Sequence, residues 1–315
     1  MSIKNSTLKK FLPYGKQTID QDDVDAVVNV LTSDFLTQGP VIGQFEDVFK
    51  ETVKSKYAVA VSSGTSALHL SLLALGIGLG DEVITTPNSF LATANAILYV
   101  GATPVFVDIE MSQFGIDATK IEAVITNKTK AIIPVHFAGF PVDLELIYEI
   151  ADKYTLKVIE DSCHALGAKY KESNIGSCAY SDCSTFSFHP VKHIATGEGG
   201  MITTNSNDVY QKLLMLRTHG VTKDSDQLIQ NPGPWYYEMQ TLGFNYRMTD
   251  IQAALGCSQL KKLSGFVKRR REIAKQYDAA FSGFDLIKPI KEQVHHWCSY
   301  HLYVVQIDFE RVANF

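Results

Sequence analysis

A lysine in a loop after a predicted strand is the first residue of this sequence that could do chemistry. Lys192 ends the segment SFHPVK (187–192), and the glycine-rich segment GEGG (197–200) follows it. Loss of water around an amine lowers its pKa, and a neutral amine in such a place can attack an aldehyde carbon. A lysine on a surface loop is the alternative, and this segment alone leaves both open.

An acidic residue at the end of another predicted strand supplies a second functional group. Asp161 ends the segment VIED (158–161), at the edge of an open α/β sheet where ligands bind. A carboxylate there can keep a pyridine nitrogen protonated, as a pyridoxal cofactor requires when it acts as an electron sink. Strand alternation turns the neighbouring Glu160 to the opposite side, which makes it the weaker candidate. The alternative role of Asp161 is to cap the turn that follows.

A third segment could bind phosphate. Residues 62–68, SSGTSAL, join a predicted strand to a predicted helix. Free backbone N–H groups at a helix start, with hydroxyls and a glycine that permits close approach, can hold a phosphate group. Plain N-capping is the alternative use of these small residues. Neither GxGxxG nor GxxxxGK followed by Ser or Thr stands at a strand-to-helix junction, which argues against a dinucleotide or P-loop site.

These three segments must be positioned by a regular alternation of strands and helices. From Tyr57 onward, short β-branched runs alternate with stretches of helical period, which predicts a parallel sheet covered by helices. The predicted strands are 57–61, 82–86, 104–107, 131–135, 157–160, 185–188, 201–204 and 301–307. The predicted helices are 66–75, 92–100, 119–125, 144–154, 209–217 and a long one from 249 towards 281. The strands 185–188 and 201–204 are expected to pair around the loop that carries Lys192.

The composition describes a globular chain and excludes several classes of protein. Of 315 residues, 45% are hydrophobic and 20% charged, which is enough apolar material for a large core. The net charge is −5 and the only dense basic cluster is 268–271, so no nucleic-acid-binding surface is predicted. No secretory signal and no membrane segment is predicted, and five cysteines without zinc spacing indicate reduced thiols and no structural metal. We expect a cytoplasmic protein.

Five segments resemble the DegT/DnrJ-type sugar aminotransferases, which are fold-type I pyridoxal-phosphate enzymes. They are SSGTSALHL, TTPNSFLATANA, VIEDSCHALGA, SFHPVKHIATGEGG and GFNYRMTDIQAALG, all where that family has them. The aromatic-rich insert GPWYYE (233–238) is similar to the PseC branch, the UDP-4-amino-4,6-dideoxy-N-acetyl-β-L-altrosamine transaminases of pseudaminic acid biosynthesis. The resemblance covers nearly the whole chain. It implies a large α/β domain with a mostly parallel sheet and a smaller α+β domain.

The resemblance also implies roles for individual residues around pyridoxal 5'-phosphate. Lys192 would bind the aldehyde carbon of the cofactor, and Asp161 would pair with its ring nitrogen. His164 would hydrogen-bond near the ring phenolate. Phe90 would stack on the face of the ring, with core packing as its alternative role. The phosphate would be held by Gly64, Thr65, Ser66 and Ser187.

A homodimer with a shared active site follows from the same resemblance. Asn245 would reach the phosphate from the neighbouring subunit, and the alternative is an amide that caps its own loop. The sugar nucleotide would contact the N-terminal arm, the loop before the first large-domain helix and the cofactor loop, at Tyr14, Asp34, Phe35, Leu36, Thr37 and Ser63. Tyr236 and Tyr237 could line the sugar pocket, because an aromatic platform suits a hexose face, or could form an interface core.

The expected reaction is transfer of an amino group from an amino-acid donor, glutamate in the resembling family, to a 4-keto-6-deoxy nucleotide sugar. The sugar would be UDP-linked if the branch is the one named above. Two alternatives stay open: a PLP-dependent sugar dehydratase, and a non-catalytic binding or regulatory protein on the same scaffold. The dehydratase branch replaces the lysine by histidine, whereas this chain has Lys192 flanked by His189 and His193.

Two domains are expected along the chain. Residues 1–248 would form the N-terminal arm and the large cofactor-binding domain. Residues 249–315 would form a long linking helix and the start of the small C-terminal domain. Because the family usually continues for several dozen residues beyond the strand predicted at 301–307, the small domain is expected to be incomplete in this chain.

Overall fold

The structure is a computed structural model that describes Pro13 and residues 15–312. Helices and strands alternate through most of this part of the chain. The helices are α1 (Gln21–Leu31), α2 (Pro40–Val53), α3 (Gly64–Ala74), α4 (Leu91–Tyr99), α5 (Leu144–Tyr154), α6 (Asn207–Arg217), α7 (Asp250–Leu260), α8 (Leu263–Phe281) and α9 (Phe309–Val312). Within the described residues, no helix combines the length and the apolar character that a membrane span needs.

Seven strands form the central sheet, and three small sheets lie beside it. The strands are β1 (Tyr57–Val61), β2 (Glu82–Thr85), β3 (Thr103–Phe106), β4 (Thr129–Ile132), β5 (Lys157–Asp161), β6 (Lys169–Tyr170), β7 (Ser173–Asn174), β8 (Cys183–Ser187), β9 (Gly200–Thr204), β10 (Val221–Thr222), β11 (Glu238–Met239), β12 (Ile287–Pro289), β13 (His296–Trp297) and β14 (Val305–Ile307). The order in the central sheet is β1-β9-β8-β5-β4-β2-β3.

The central sheet confirms the predicted mostly parallel α/β fold. Its strands run parallel except β9, which is antiparallel to both β1 and β8. The pairing of β8 with β9 around the Lys192 loop is therefore also as predicted. Because the parallel strands point the same way, the residues that follow β1, β2, β5 and β8 meet at one edge of the sheet. This shared edge is where an open α/β sheet offers a binding site.

Three predicted elements differ from the structure. Residues 119–125 form two short 3-10 turns, Ala118–Lys120 and Glu122–Val124, and the Asp117 carboxylate caps the first by accepting hydrogen bonds from the Thr119 amide and hydroxyl. The long helix divides at residues 261–262, where the Lys262 amide donates to the Gln259 carbonyl, three residues back. Only the last part of 301–307 is a strand.

An arginine on α8 accounts for the shorter final strand. The guanidinium of Arg270 donates hydrogen bonds to the carbonyls of Tyr300 and His301, at 3.2 and 3.0 Å. Those carbonyls are therefore bound to a side chain and take no part in a ladder. Tyr300 also has a φ of 49°, which extended strand backbone does not allow.

Helix α3 is the most deeply buried helix around the site. Nine of its eleven residues are buried, as expected for a helix enclosed by protein on all sides. It packs with β8 and β9 in one core cluster. Four phenylalanines, at positions 45, 49, 186 and 188, form edge-to-face contacts on the other side of β8, with centroids 5.1 to 6.1 Å apart. Packing on both sides fixes the end of β8, from which the Lys192 loop departs.

Candidate active site

A cavity of about 390 Å³ lies at the carboxyl edge of the sheet. It brings together most of the cofactor residues predicted from the sequence. Lys192, Asp161 and His164 line it, and so do Phe90, Ser63, Gly64, Thr65 and Ser187. These side chains come from four different strand ends that are far apart in the sequence, and the shared direction of the strands explains why they meet.

The amine of Lys192 is half-buried in this cavity. Its backbone amide donates to the His189 carbonyl at 2.8 Å, which closes the turn that directs the side chain inward. Desolvation lowers the pKa of Lys192, although the nearby Cys163 and Asp161 favour the ammonium form and oppose part of that shift. A lowered pKa increases the fraction of neutral amine at any pH below it. Lys192 is therefore a cavity residue, and the alternative of a lysine on a surface loop is wrong.

Asp161 is buried, with 6% of its surface exposed, and both carboxylate oxygens accept hydrogen bonds. The hydroxyl of Thr93 donates to Oδ2 at 2.7 Å, and the amide of Cys163 donates to Oδ1 at 3.2 Å. The second bond is the turn-capping contact that was the alternative role. The carboxylate therefore caps the turn and faces the cavity at once. Two donors hold it in one orientation.

The neighbouring residue points to the other side of β5, in keeping with strand alternation. Glu160 hydrogen-bonds to His136 at 2.9 Å and accepts from the Ser181 hydroxyl at 2.5 Å. It does not line the cavity.

The start of α3 forms a cradle at one end of the cavity. Ser63 is the N-cap, and it exchanges hydrogen bonds with Ser66 in a capping box. The hydroxyl of Ser66 is turned towards Ser62 and Ser63, so its side chain does not line the cavity. Within the described residues, the amides of Gly64 and Thr65 have no hydrogen-bond partner, as is usual at a helix start.

A glycine is required in this cradle. A Cβ atom on Gly64 would lie 2.8 Å from Cβ of Ser187 and 3.2 Å from Sγ of Cys163. The glycine thus lets the start of α3 approach the end of β8, and the free amides of the helix face the same space as the Ser187 hydroxyl. This combination of N–H donors, a hydroxyl and the positive end of a buried helix dipole suits a phosphate group.

Two rings line the middle of the cavity. Phe90 is 71% exposed, which excludes the core-packing alternative for this residue. The imidazole of His164 packs on that of His301, with centroids 4.2 Å apart. Desolvation, with a smaller effect of the positive charge of Lys192, lowers the pKa of His164 to about 4. His164 is therefore neutral at physiological pH, so one of its ring nitrogens can donate a hydrogen bond and the other can accept one.

The predicted substrate and partner residues are mostly outside the cavity in one chain. Asn245 is exposed, its backbone pairs with Thr218, and its amide caps no loop of the described chain. The loop residues Asp34, Phe35, Leu36 and Thr37 are exposed and do not line the cavity, and neither do Tyr236 and Tyr237. The hydroxyl of Tyr236 donates to Glu238 at 2.9 Å. Tyr14 lies outside the described residues.

Several cavity residues were missed by the sequence reasoning. Thr93 binds Asp161 directly, and Cys163, His189 and Glu198 line the cavity. Three of these four stand inside the segments that flank Asp161 and Lys192, so proximity in sequence could have indicated them. Thr93 stands in the quoted segment TTPNSFLATANA, close to Phe90, but only the packing of α4 against the sheet brings its hydroxyl to Asp161.

The chain matches the model of the DegT/DnrJ/EryC1/StrS aminotransferase family over residues 17–314. It is also 45% identical over 306 residues to the spore coat polysaccharide biosynthesis protein SpsC of Bacillus subtilis, a match that covers 96% of this chain and 77% of SpsC. The chain therefore belongs to this family, as the resemblance of its segments predicted.

Solved structures of sugar aminotransferases share the fold. Helicobacter pylori PseC, an aminotransferase involved in the biosynthesis of pseudoaminic acid, is 36% identical with a TM-score of 0.88, and the match covers 96% of this chain and 80% of PseC. The sugar aminotransferase Spr1654 of Streptococcus pneumoniae, described as putative, is 34% identical in its PMP form, with a TM-score of 0.88 and coverage of 95% and 79%. A PLP form of Spr1654 also matches. The predicted cofactor class agrees with these structures.

We predict a loss of stability in mild acid from two desolvated histidines near Lys192. Desolvation lowers the pKa of His193 to about 3, with help from the charge of Arg270, and that of His164 to about 4. Both values lie below the unfolded value of about 6.5, so the unfolded chain binds more protons between these limits. We expect the free energy of unfolding, measured with urea, to fall as the pH is lowered from 7 towards 4.

A matched pair of variants separates this effect from general acid denaturation. His193→Gln keeps a donor for the Ser299 carbonyl, which His193 Nε2 contacts at 3.1 Å, and removes the titrating group. It should flatten the pH dependence, while His219→Asn, at an exposed position, should keep the slope of the parent chain. Equal slopes for His193→Gln and the parent would contradict the assignment.

Proposed function

We propose that this chain is a pyridoxal-phosphate-dependent aminotransferase that acts on a nucleotide sugar. The single observation that carries the proposal is the cavity in which a desolvated lysine and a doubly hydrogen-bonded aspartate face the same space as a helix start. An aldehyde cofactor with a basic ring nitrogen and a phosphate needs these three groups together. Membership in an aminotransferase family supports the same assignment.

The residues around the cavity fit pyridoxal 5'-phosphate. The amides of Gly64 and Thr65 and the hydroxyl of Ser187 would hold the phosphate, and the missing Cβ of Gly64 lets these donors lie close together. Asp161 would accept the ring N–H, and Phe90 would cover one face of the ring. His164 would hydrogen-bond near the phenolate. When bound, the cofactor supplies an electron sink for the carbon that loses a proton.

The protein residues bind the groups and move the protons. The lowered pKa of Lys192 increases the share of neutral amine, the form that could attack an aldehyde and could accept and return a proton at a substrate carbon. Asp161, as a carboxylate held by Thr93 and Cys163, would stabilise positive charge on the ring nitrogen of a bound cofactor. His164 is neutral, so it adds no positive charge that would compete with that nitrogen.

For the substrate, we propose a 4-keto-6-deoxy nucleotide sugar that is UDP-linked, with glutamate as the amino donor. Support comes from the similarity to PseC and from the GPWYYE insert. The product would enter the biosynthesis of pseudaminic acid or a related surface sugar. Similarity to a spore coat polysaccharide biosynthesis protein supports such a role. Tyr14, Asp34, Phe35, Leu36, Thr37, Ser63, Tyr236 and Tyr237 are the proposed sugar-nucleotide contacts.

The proposed unit is a homodimer with a shared site. Asn245 is exposed and its side chain has no hydrogen-bond partner in the described chain, so its amide is available to a neighbouring subunit. The substrate loop at 34–37 is likewise exposed. Neither lines the cavity of its own chain, which is accounted for if each serves the cavity of the partner.

Amino transfer is tested by the products of the chain with glutamate and a small panel of 4-keto nucleotide sugars. Mass spectrometry should detect the mass change of a carbonyl that has become an amine, and Lys192→Ala should give none. A product that has lost a hydroxyl without gaining nitrogen would indicate a dehydratase instead. If none of the nucleotide sugars changes in mass although the chain binds the cofactor tightly, the result would favour a binding protein and contradict the proposal.

Replacement of the ring-nitrogen partner should separate binding from catalysis. Asp161→Asn removes the charge and keeps the shape, so we expect cofactor affinity to be largely retained and kcat to fall roughly 10²-fold or more, as for other lost electrostatic stabilisers. Asp117→Asn is the matched control, because Asp117 also accepts from a threonine hydroxyl, at 2.6 Å, outside the site. Undiminished turnover of Asp161→Asn would contradict the assigned role.

A further inference from the structure

Two buried polar groups and a partly buried serine lie on the side of β5 that faces away from the cavity, and the proposed reaction does not use them. His136 is fully buried and Glu160 is 2% exposed. Nε2 of His136 lies 2.9 Å from Oε2 of Glu160, and the hydroxyl of Ser181 donates to Oε1 at 2.5 Å. We call these three residues the β5 brace.

The hydrogen bonds of the brace fix its protonation. The backbone amide of Val142 donates to Nδ1 of His136 at 3.2 Å, so Nδ1 must carry a lone pair. The proton of the neutral imidazole is then on Nε2, which must donate to Glu160. Glu160 consequently accepts from both neighbours and is a carboxylate, with a neutral histidine as its partner.

A buried carboxylate without a buried cation is an expensive arrangement. Well-packed apolar side chains of similar volume are often at least as stabilising as a buried charged group. Stability alone therefore does not explain why these polar residues occupy buried positions. Buried polar groups can specify one orientation of the elements that carry them, and here the element carries Asp161.

Backbone hydrogen bonds connect the brace to Asp161. The amide of His136 donates to the Asp161 carbonyl at 3.1 Å, and the Asp161 amide donates to the Pro134 carbonyl at 2.9 Å. Glu160 and Asp161 share one peptide plane at the end of β5. A rotation of that plane would move both side chains, so bonds that fix Glu160 on one side also fix Asp161 on the other.

We propose that Glu160 and His136 are positioning residues that hold Asp161 in the orientation in which it faces the cavity. The role of Asp161 towards the ring nitrogen rests on the proposed function, whereas its orientation is a property of the chain alone. The hydrogen bonds of Glu160, more than its charge, carry the effect. Ser181 contributes the weaker share, since it is only partly buried.

The orientation of Asp161 can be observed without any cofactor. The amide of Cys163 donates to Asp161 Oδ1 at 3.2 Å, so its resonance reports that contact. The chain has five cysteines, and selective ¹⁵N-cysteine labelling gives five amide signals. The Cys163 signal is assigned by Cys163→Ala, and the signals of Cys257 and Cys298 serve as internal controls.

Two substitutions at one position separate hydrogen bonding from charge. Glu160→Met keeps the length of the side chain and removes both acceptors, while Glu160→Gln can accept from His136 and donate to the Ser181 oxygen. We expect Glu160→Met to move the Cys163 amide signal upfield and to speed its hydrogen exchange, and Glu160→Gln to stay close to the parent chain. Glu46→Met is the matched control, because Glu46 is a partly buried carboxylate that pairs with Arg217 and does not line the cavity.

An unmoved Cys163 signal in Glu160→Met overturns the proposal. If the Cys163 signal moves as far in Glu160→Gln, the charge of Glu160 and not its hydrogen bonds holds Asp161, and the proposal is overturned. If the signal also moves in Glu46→Met, loss of any such carboxylate loosens the fold, and the proposal is again overturned. Should Glu160→Met not fold, Ser181→Ala removes one of the two bonds and must move the signal less, in the same direction; no movement counts against the brace.

Activity of the cofactor-loaded protein gives a second readout. Glu160→Met should lower kcat several-fold with little change in the KM of the amino donor, and Glu160→Gln should restore kcat. A chain that never binds pyridoxal 5'-phosphate but shows the expected Cys163 shifts would overturn the proposed function and leave the positioning role supported.

Discussion

Desolvation of the Lys192 amine is the condition on which the rest of the site depends, because only a neutral amine can attack an aldehyde carbon at physiological pH. Asp161 and Cys163 favour the ammonium form, and burial must outweigh them. The packed sheet edge supplies that burial, and the turn closed by the Lys192 amide and the His189 carbonyl directs the side chain inward. The neutral His164 and His193 beside it add no charge of their own.

The fold makes this desolvation possible because it brings segments that are distant in the sequence to one edge of the central sheet. Parallel strands end together, so the ends of β1, β5 and β8 supply the cradle, the carboxylate and the lysine loop. Helix α3 is enclosed almost completely, which keeps its free amides in place, and Gly64 allows it to approach Ser187. Each functional group is thus held by packing on both sides of the sheet, as a preorganised site requires.

Much of this arrangement could be predicted from the sequence because it depends on local patterns. Alternating β-branched and helical stretches predicted the parallel sheet, and strand ends located Asp161 and the loop of Lys192. Contacts set by tertiary packing were not predictable in this way. The Thr93 bond to Asp161 depends on how α4 approaches the sheet, and Arg270 shortened the final strand by binding two of its carbonyls. The inward turn of Ser66, which removed it from the cradle, came from a capping box that local pattern could have suggested.

The central claim is that one particular amine captures the aldehyde cofactor. Incubation with pyridoxal 5'-phosphate, reduction with borohydride and peptide mapping by mass spectrometry test it most directly. We expect a single modified peptide that contains Lys192, and no stable modification of Lys192→Ala at the same cofactor concentration. Modification spread over exposed lysines, or confined to another lysine, would contradict it.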